Sequence, residues 1–270
     1  MHRDPHSHKG QNGIVAVVGG SRYLHGAPIF SALAAEASGV DLVFPCTPEC
    51  HLETTKQASY NFIITPFRGC DLTKADVSVV EETIKRSNAA VIGPGLATFD
   101  TTQQAVETVI RNAEVPLVID AGALQPWTFD ALRDKTAVVT PHIRELSHMQ
   151  GQVLEKRTHE QRRDIVHTIA KTRRVTIILK GPTDIIAGPN GELQEVAGGN
   201  AGLTVGGTGD ALAGLIAGLI AQKVPPFEAA VMATTIIKRA ATVLFHEKGY
   251  AFTTMDVISQ MPHLVHTYEG

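Results

Sequence analysis

Apolar and polar positions along the chain fall into two kinds of segment: short solid apolar runs and longer stretches with helical periodicity. A β-branched run at residues 14–18 ends in two glycines, and small apolar residues follow at helical spacing over 27–38. This pattern predicts a strand, a turn and a helix. The alternation continues with predicted strands at 40–44, 89–92, 117–119, 137–139 and 175–179, and predicted helices at 74–86, 101–112 and 155–172.

The predicted strands lack the in-out alternation of a half-exposed sheet, which indicates that both of their faces are buried. Runs at 185–187 and 193–196 flank a Gly-Pro-Asn-Gly turn and predict a hairpin added to the sheet. Helices are predicted at 208–221 and 226–245. We therefore expect one three-layer α/β/α domain over residues 1–270, with a mostly parallel central sheet, helices on both faces and a flexible segment at 1–12.

Composition and charge narrow the function. The 270 residues are 43% hydrophobic, with a formal charge of −3, so a large core is expected without a basic stripe for nucleic acid or a membrane surface. No signal peptide is recognisable, which favours a cytoplasmic protein. The most apolar run, 211–221, is too short to span a bilayer and predicts a buried helix. We expect Gly214 and Gly218 within it to pack closely on the sheet.

Three cysteines, Cys46, Cys50 and Cys70, cannot all pair with one another, and we interpret them as reduced thiols. Cys46, Cys50 and His51 lie close together in the sequence. No second cluster stands at a spacing that would complete a four-ligand zinc site, so no metal site is predicted there.

Glycine-rich loops follow several predicted strands, where open parallel sheets bind their ligands. The strongest is the segment 198–210, which contains six glycines and runs directly into an apolar helix. Glycines let a backbone approach an anion, and the first N–H groups of a helix are free to bind phosphate. The segment lacks the Gly-Lys-Ser/Thr ending of a Walker A loop.

Three side chains near these loops have two interpretations each. Asp210 either caps the helix or accepts a hydroxyl proton as a phosphoryl group arrives. Lys180 either reaches phosphate or is a solvated strand end. His142 either orients a substrate or caps a helix that begins near Ile143, with Glu145 as a first-turn charge.

Taken in order, the loop motifs resemble those of the ADP- or ATP-dependent NAD(P)H-hydrate dehydratases of the ribokinase-like superfamily. The resemblance covers nearly the whole chain. Its motifs are His8-Lys9-Gly10, Val18-Gly19-Gly20-Ser21, Gly26-Ala27-Pro28, Ile92-Gly93-Pro94-Gly95-Leu96, Asp120-Ala121-Gly122-Ala123-Leu124, Thr140-Pro141-His142, Leu179-Lys180-Gly181 and Gly206-Gly207-Thr208-Gly209-Asp210 with Leu212-Ala213-Gly214.

This resemblance implies a lyase that repairs hydrated NADH or NADPH, with ADP or ATP as co-substrate, Mg²⁺ beside the nucleotide and a homo-oligomeric assembly such as a tetramer. The ring hydroxyl would be phosphorylated and then eliminated. Asp210 would be catalytic. The substrate would contact Ala27, Gly95, His142 and Asp120, and the nucleotide would contact Lys180, Gly181, Pro182, Thr183, Asp184, Gly206, Gly207, Thr208 and Gly209.

The sequence departs from the family pattern at two places. Ile143-Arg144-Glu145 stands where Pro-Gly-Glu is expected, and Thr183 comes one position early. Many relatives carry an amino-terminal epimerase domain, whose activity we do not expect here. A kinase of the same superfamily acting on a vitamin-precursor alcohol, and a nucleotide-binding protein without catalysis, are the alternative functions.

Overall fold

A computed structural model describes residues 3–268, and the nine strands in this part of the chain form one sheet. They are β1 (Ile14–Val18), β2 (Leu42–Pro48), β3 (Thr65–Phe67), β4 (Ala89–Ile92), β5 (Leu117–Ile119), β6 (Ala137–Val139), β7 (Thr176–Leu179), β8 (Asp184–Ala187) and β9 (Leu193–Val196). Their order is β3-β2-β1-β4-β5-β6-β7-β8-β9. All pairs up to β6–β7 are parallel, whereas β7–β8 and β8–β9 are antiparallel. The predicted mostly parallel sheet with an added hairpin is confirmed.

Helices connect the strands and cover the sheet. They are α1 (Gly26–Ala37), α2 (Leu52–Ala58), α3 (Val77–Lys85), α4 (Asp100–Asn112), α5 (Thr128–Ala131), α6 (Ile143–Gln150), α7 (His159–Arg173), α8 (Thr208–Ala221), α9 (Pro226–Lys248) and α10 (Thr254–His266).

Successive residues of each central strand enter opposite cores, because side chains alternate across a sheet. In β1, Val15 and Val17 pack with α1, α8, α9 and α10 on one face, and Ala16 and Val18 pack with α3, α4 and α7 on the other. All four side chains are fully buried. The three-layer α/β/α architecture expected from the solid apolar runs is therefore confirmed.

The bounds of most elements follow the sequence patterns closely, and the departures have physical causes. α7 begins at His159, four residues later than predicted, because Thr158 accepts a hydrogen bond from the N–H of Gln161 and ends the preceding loop. β2 lies at 42–48 rather than 40–44 and includes two prolines. The sequence patterns did not predict α2, β3, α5 or α10.

The apolar helix α8 is buried, as predicted, but its glycines pack on α1 and not on the sheet. A methyl group added to Gly214 would lie 2.0 Å from the carbonyl oxygen of Ser31, and one added to Gly218 would lie 2.1 Å from Oγ of Ser38. The expectation of glycine–sheet packing was therefore wrong. The small residues of both helices bring the two backbones close together, and the Ser31 hydroxyl donates to the carbonyl oxygen of Asp210 over 2.7 Å. Within 3–268 no helix combines the length and apolar character needed to cross a membrane.

The amino-terminal segment 3–12 lies against Asp41. The Asp41 carboxylate accepts hydrogen bonds from the N–H groups of Gly10 and Asn12 and pairs with Arg3. These contacts, with burial opposing them, hold the pKa of Asp41 below its usual range. Met1 and His2 lie outside the described residues, and the flexibility of 1–12 stays a prediction.

Candidate active site

Loops after β1, β4 and β5 meet at the carboxyl edge of the sheet, and glycines permit the contact. A methyl group on Gly19 would lie 2.3 Å from the carbonyl oxygen of Pro94, and one on Gly93 would lie 1.7 Å from that of Asp120. Gly93 also has a φ of 130°, which side-chain-bearing residues rarely adopt. The glycines that the sequence placed after strands thus allow three loops to pack backbone against backbone.

The predicted substrate residues Ala27 and Gly95 are neighbours in this arrangement. A methyl group on Gly95 would lie 3.1 Å from Cβ of Ala27, and Gly95 has a φ of 69°. Ala27 precedes Ser31 by one helical turn on the same face of α1. Because Ser31 is bonded to the backbone of Asp210, the loop after β4 and the beginning of α8 face one cleft.

The turn before α8 is built to leave backbone N–H groups available. Gly207, the N-cap residue, has a φ of 100° and no side chain that could cap the helix. The Thr208 hydroxyl donates to the carbonyl oxygen of Leu203 over 2.8 Å and is therefore occupied within the turn. A methyl group on Gly206 would meet nothing within 4 Å. The first turn of α8 consequently offers uncapped N–H donors and the positive end of the helix dipole to this cleft.

Asp210 lies in that first turn and does not cap the helix, since the cap position belongs to Gly207 and no side chain caps α8. The capping interpretation of Asp210 was therefore wrong. Burial, together with the nearby carboxylates of Asp120 and Glu145, raises the pKa of Asp210 to about 7, although the Lys180 ammonium opposes the shift. A carboxylate with such a pKa can take up and release a proton near neutral pH.

Lys180 and Asp120 form an ion pair beside Asp210. The Nζ of Lys180 lies 2.8 Å from Oδ1 of Asp120, which also accepts a hydrogen bond from the Thr140 hydroxyl at 2.8 Å. Burial lowers the pKa of Lys180, but the charges of Asp120 and Glu145 outweigh burial and raise it. A methyl group on Gly209 would lie 3.3 Å from Nζ of Lys180. Lys180 is thus directed into the cleft, and its interpretation as a solvated strand end was wrong.

His142 is the N-cap residue of α6, so the capping interpretation is confirmed. Its Nδ1 accepts hydrogen bonds from the N–H groups of Arg144 and Glu145, each at 3.1 Å, and the Glu145 carboxylate accepts the N–H of His142 at 2.7 Å. His142 also pairs with Lys180 through the backbone at the end of the parallel sheet. The ring is half-exposed, and its Nε2 lies 3.4 Å from Oε1 of Glu145.

Glu145 belongs to the charged cluster, although the sequence suggested only a first-turn charge. Its Oε2 lies 4.0 Å from Nζ of Lys180. Burial raises the pKa of Glu145, with Lys180 opposing and Asp120 adding to the shift. The three-residue spacing between His142 and Glu145 could have predicted this position. In a capping box, the side chain three residues after the N-cap residue is held at the start of the helix.

The loop between β7 and β8 contains the predicted nucleotide residues 180–184. The N–H of Gly181 donates to Oδ1 of Asp184 at 2.6 Å, and Oδ2 of Asp184 lies 3.3 Å from Nζ of Lys238. Burial raises the pKa of Asp184, whereas that N–H group and the ammonium lower it. Gly181 and Pro182 are exposed, and Thr183 is half-buried. No sequence pattern predicted Lys238 at this site, because it lies far along the chain on α9.

The cysteines lie away from this cluster and are free thiols. Cys46 lies in the core, where burial raises the pKa of its thiol to about 12. The Nε2 of His51 lies 3.0 Å from the carbonyl oxygen of Ser21. Across the described part of the chain, no group of three or more His, Cys, Asp and Glu side chains is arranged to hold a metal ion by itself.

Comparison with known proteins agrees with this geometry. The family model described as NAD(P)H-hydrate dehydratase matches residues 15–263. The chain is 37% identical to the ADP-dependent (S)-NAD(P)H-hydrate dehydratase of Nitrosopumilus maritimus, over 99% of this chain and 93% of that protein. It is also 37% identical to the bifunctional NAD(P)H-hydrate repair enzyme Nnr of Hyperthermus butylicus, of which it spans 49%.

Among solved structures, the ADP/ATP-dependent NAD(P)H-hydrate dehydratase of Bacillus subtilis, co-crystallized with ATP and Mg²⁺, superposes with a TM-score of 0.82. That pair shares 27% identity and covers 99% of this chain and 94% of the other. A ribokinase-like superfamily protein of Enterococcus faecalis superposes with a TM-score of 0.85 at 25% identity, over 100% of this chain and 92% of the other. The chain therefore belongs to the NAD(P)H-hydrate dehydratase family and is a hydro-lyase with a ribokinase-like fold, as the sequence resemblance implied.

Proposed function

We propose that this protein removes water from hydrated NADH or NADPH at the expense of ADP or ATP and so regenerates the reduced cofactor. The observation that carries the proposal is the position of Asp210, a carboxylate with a pKa of about 7 in the first turn of a helix that offers N–H donors to the same cleft. A phosphoryl acceptor held there would meet a proton acceptor and an anion site together.

The predicted site residues divide between two sides of the cleft in this proposal. Ala27, Gly95 and His142 contact the hydrated ring, with Asp120 at the back of the cleft. The nucleotide lies along Lys180, Gly181, Pro182, Thr183 and Asp184 on one side and along Gly206, Gly207, Thr208 and Gly209 on the other. The proximity of Gly209 to Lys180 supports this division, because it joins the two nucleotide segments at one point.

The chemistry balances with the groups present. Asp210 takes the proton of the ring hydroxyl while that oxygen attacks the terminal phosphorus of ADP, and AMP departs. The carbon–oxygen bond of the phosphate ester then breaks, the departing phosphate takes a proton from the adjacent ring carbon, and the ring double bond forms as inorganic phosphate leaves. The oxygen of the eliminated water therefore ends in phosphate, which is a far better leaving group than hydroxide. Backbone N–H groups at α8 stabilise the charge that grows on the transferring group.

Mg²⁺ accompanies the nucleotide in this proposal, and the charge balance of the site supports it. The carboxylates of Asp120, Glu145 and Asp210 lie around the ammonium of Lys180, and their charges raise its pKa against the effect of burial. The site is thus negative before an anionic nucleotide arrives, and a divalent cation would offset that repulsion. Phosphate oxygens and water would supply most of its ligands, as Mg²⁺ prefers.

The decisive experiment incubates the protein with NADH hydrate or NADPH hydrate and with ADP or ATP, with and without Mg²⁺. We expect absorbance of the reduced nicotinamide to return in step with release of inorganic phosphate, and EDTA to stop both. A stable phosphorylated product without phosphate release would instead identify a kinase. Nucleotide binding with no turnover of any hydrate would identify a binding protein.

The cellular location, the partners and the assembly of the protein are part of the same proposal. We expect a cytoplasmic enzyme that has small-molecule partners and no nucleic-acid or membrane partner. We expect it to form a homo-oligomer such as a tetramer. Three large apolar side chains of the loops beside Gly95 support self-association, since Tyr23, Leu24 and Phe99 are 84%, 53% and 65% exposed. Light scattering during size-exclusion chromatography measures the assembly, and a monomer at micromolar concentration would contradict it.

A further inference from the structure

Lys238 is a buried lysine in the middle of α9, with only 5% of its surface exposed. Its Nζ lies 2.9 Å from the carbonyl oxygen of Pro182 and 3.4 Å from those of Gly181 and Gly198. The Asp184 carboxylate is 3.3 Å away. Four acceptors therefore surround one ammonium group, which has three hydrogens to donate.

Burial of an ammonium is costly unless its hydrogen bonds and charge are satisfied. An apolar side chain of similar length would fill the same space, since the neighbours Ile237 and Ala241 belong to the core. Packing on α9 alone therefore does not require a lysine at position 238. The charge is directed at backbone carbonyl groups, so its effect falls on the loops that carry them.

These carbonyl groups belong to two loops that are distant in the sequence. Gly181 and Pro182 lie between β7 and β8, and Gly198 lies between β9 and α8. Lys238 is thus a cross-link between the loop that begins with Lys180 and the loop that ends in the first turn of α8. Both loops border the cleft described above.

The direction of each peptide group follows from these contacts. A trans peptide directs its carbonyl and the next N–H to opposite sides, and the described residues contain no cis peptide. Because the carbonyls of Pro182 and Gly198 point at Lys238, the N–H groups of Thr183 and Gly199 point away from it. Pro182 and Gly198 are both exposed residues. Loss of the ammonium would free these carbonyl oxygens to turn toward the cleft, where they would repel phosphate.

We propose that Lys238 is a positioning residue for the nucleotide: it holds the carbonyl groups of Pro182 and Gly198 away from the polyphosphate and so turns the N–H groups of Thr183 and Gly199 toward it. This inference rests on the proposed function. Lys238 itself does not touch the nucleotide, so its removal weakens nucleotide binding more than it slows the chemical step.

Calorimetric titration with ADP, together with steady-state kinetics, tests the inference on the full chain. We expect Lys238→Met to raise the Kd and KM for ADP by at least about tenfold, the scale of a hydrogen bond to a charged group. The kcat at saturating ADP should stay within about threefold, because Asp210 is untouched. Arg239→Met removes the same charge from the exposed neighbouring position and should bind ADP as the wild type does.

Two further variants keep the test decisive. Lys238→Gln retains N–H donors without the charge, and if the methionine variant does not fold, the glutamine variant should show the same rise in Kd. Lys238→Ala leaves space for a small cation, and propylammonium chloride should restore part of its ADP affinity, whereas sodium chloride of equal ionic strength should not.

A folded Lys238→Met or Lys238→Gln variant with wild-type ADP affinity would overturn the positioning role and leave the proposed function intact. A fall in kcat with no change in Kd would do the same. If the wild-type protein itself bound neither ADP nor ATP, the proposed function would be wrong, and the inference about Lys238 would fall with it.

Discussion

The ammonium of Lys180 lies 2.8 Å from a carboxylate oxygen of Asp120, and the two residues are 60 positions apart in the chain. Asp120 is 1% exposed and follows β5, whereas Lys180 follows β7. The pair therefore joins two strand ends at the carboxyl edge of the sheet. It also places a positive charge beside Asp210, among the carboxylates of Asp120 and Glu145.

Asp210→Asn should lower kcat by about 10²–10⁴-fold, the usual contribution of a general base. The Kd for ADP should change by less than about threefold, because the asparagine keeps the shape of the side chain and the backbone donors of α8. Rapid-mixing kinetics and calorimetry measure the two effects. Asp164→Asn, on the exposed face of α7, is the matched control. Equal losses of turnover and affinity would contradict the proton-accepting role.

The pH profile of kcat/KM should fall on its acidic side with a midpoint near pH 7, because the pKa of Asp210 is about 7 and only its carboxylate accepts a proton. Activity is therefore full above the midpoint and falls about tenfold for each pH unit below it. Glu145→Gln should move the midpoint to lower pH, since it removes a negative charge near Asp210.

Glutamine at position 145 can still accept the His142 N–H of the capping box, so α6 should begin as it does in the wild type. Circular dichroism and thermal unfolding check that the fold is retained. An unmoved midpoint in a folded Glu145→Gln variant would show that another group sets the acidic limb.

Gly214→Ala should lower the free energy of unfolding by about 1–3 kcal/mol or more, as over-packing does in a close contact. The added methyl group would lie 2.0 Å from a backbone oxygen of Ser31, so α1 and α8 must move apart. Gly206→Ala, whose methyl group would meet nothing within 4 Å, is the control for stability. Urea unfolding gives both values, and equal stability of the two variants would contradict the packing argument.

Gly209→Ala should fold normally but lose stabilisation by ADP. Its methyl group would lie 3.3 Å from Nζ of Lys180, a mobile chain end that can shift, so the cost to folding is small. The same group would occupy the approach of a phosphate to the first turn of α8. At hundredfold excess over its Kd, ADP should stabilise the wild type by about 2.7 kcal/mol and should raise its Tm. An equal rise of Tm in Gly209→Ala would place the nucleotide elsewhere.

The local sequence pattern was enough to predict the bounds of elements that are buried along their whole length. The strands at 14–18, 89–92, 117–119 and 137–139 and the helix at 208–221 have the predicted bounds, because a segment buried on both sides is apolar throughout and its ends coincide with the change of composition. The edge strand β3 and the short helix α2 are partly solvated. No change from polar to apolar composition therefore marks where they begin and end. The predicted bounds of β2 were wrong because this strand contains two prolines, which usually interrupt a strand.

The glycine-rich turn and Asp210 could be recognised in the sequence because they are contiguous, and the spacing from turn to helix determines which N–H groups are free. Only the tertiary structure decided which distant groups face them. Ser31 and Lys238 come from two different helices, and nothing in their local sequence indicates which loop they approach. Burial near other charges likewise sets the proton affinity of Asp210, and that environment exists only after the strand ends of the sheet have come together.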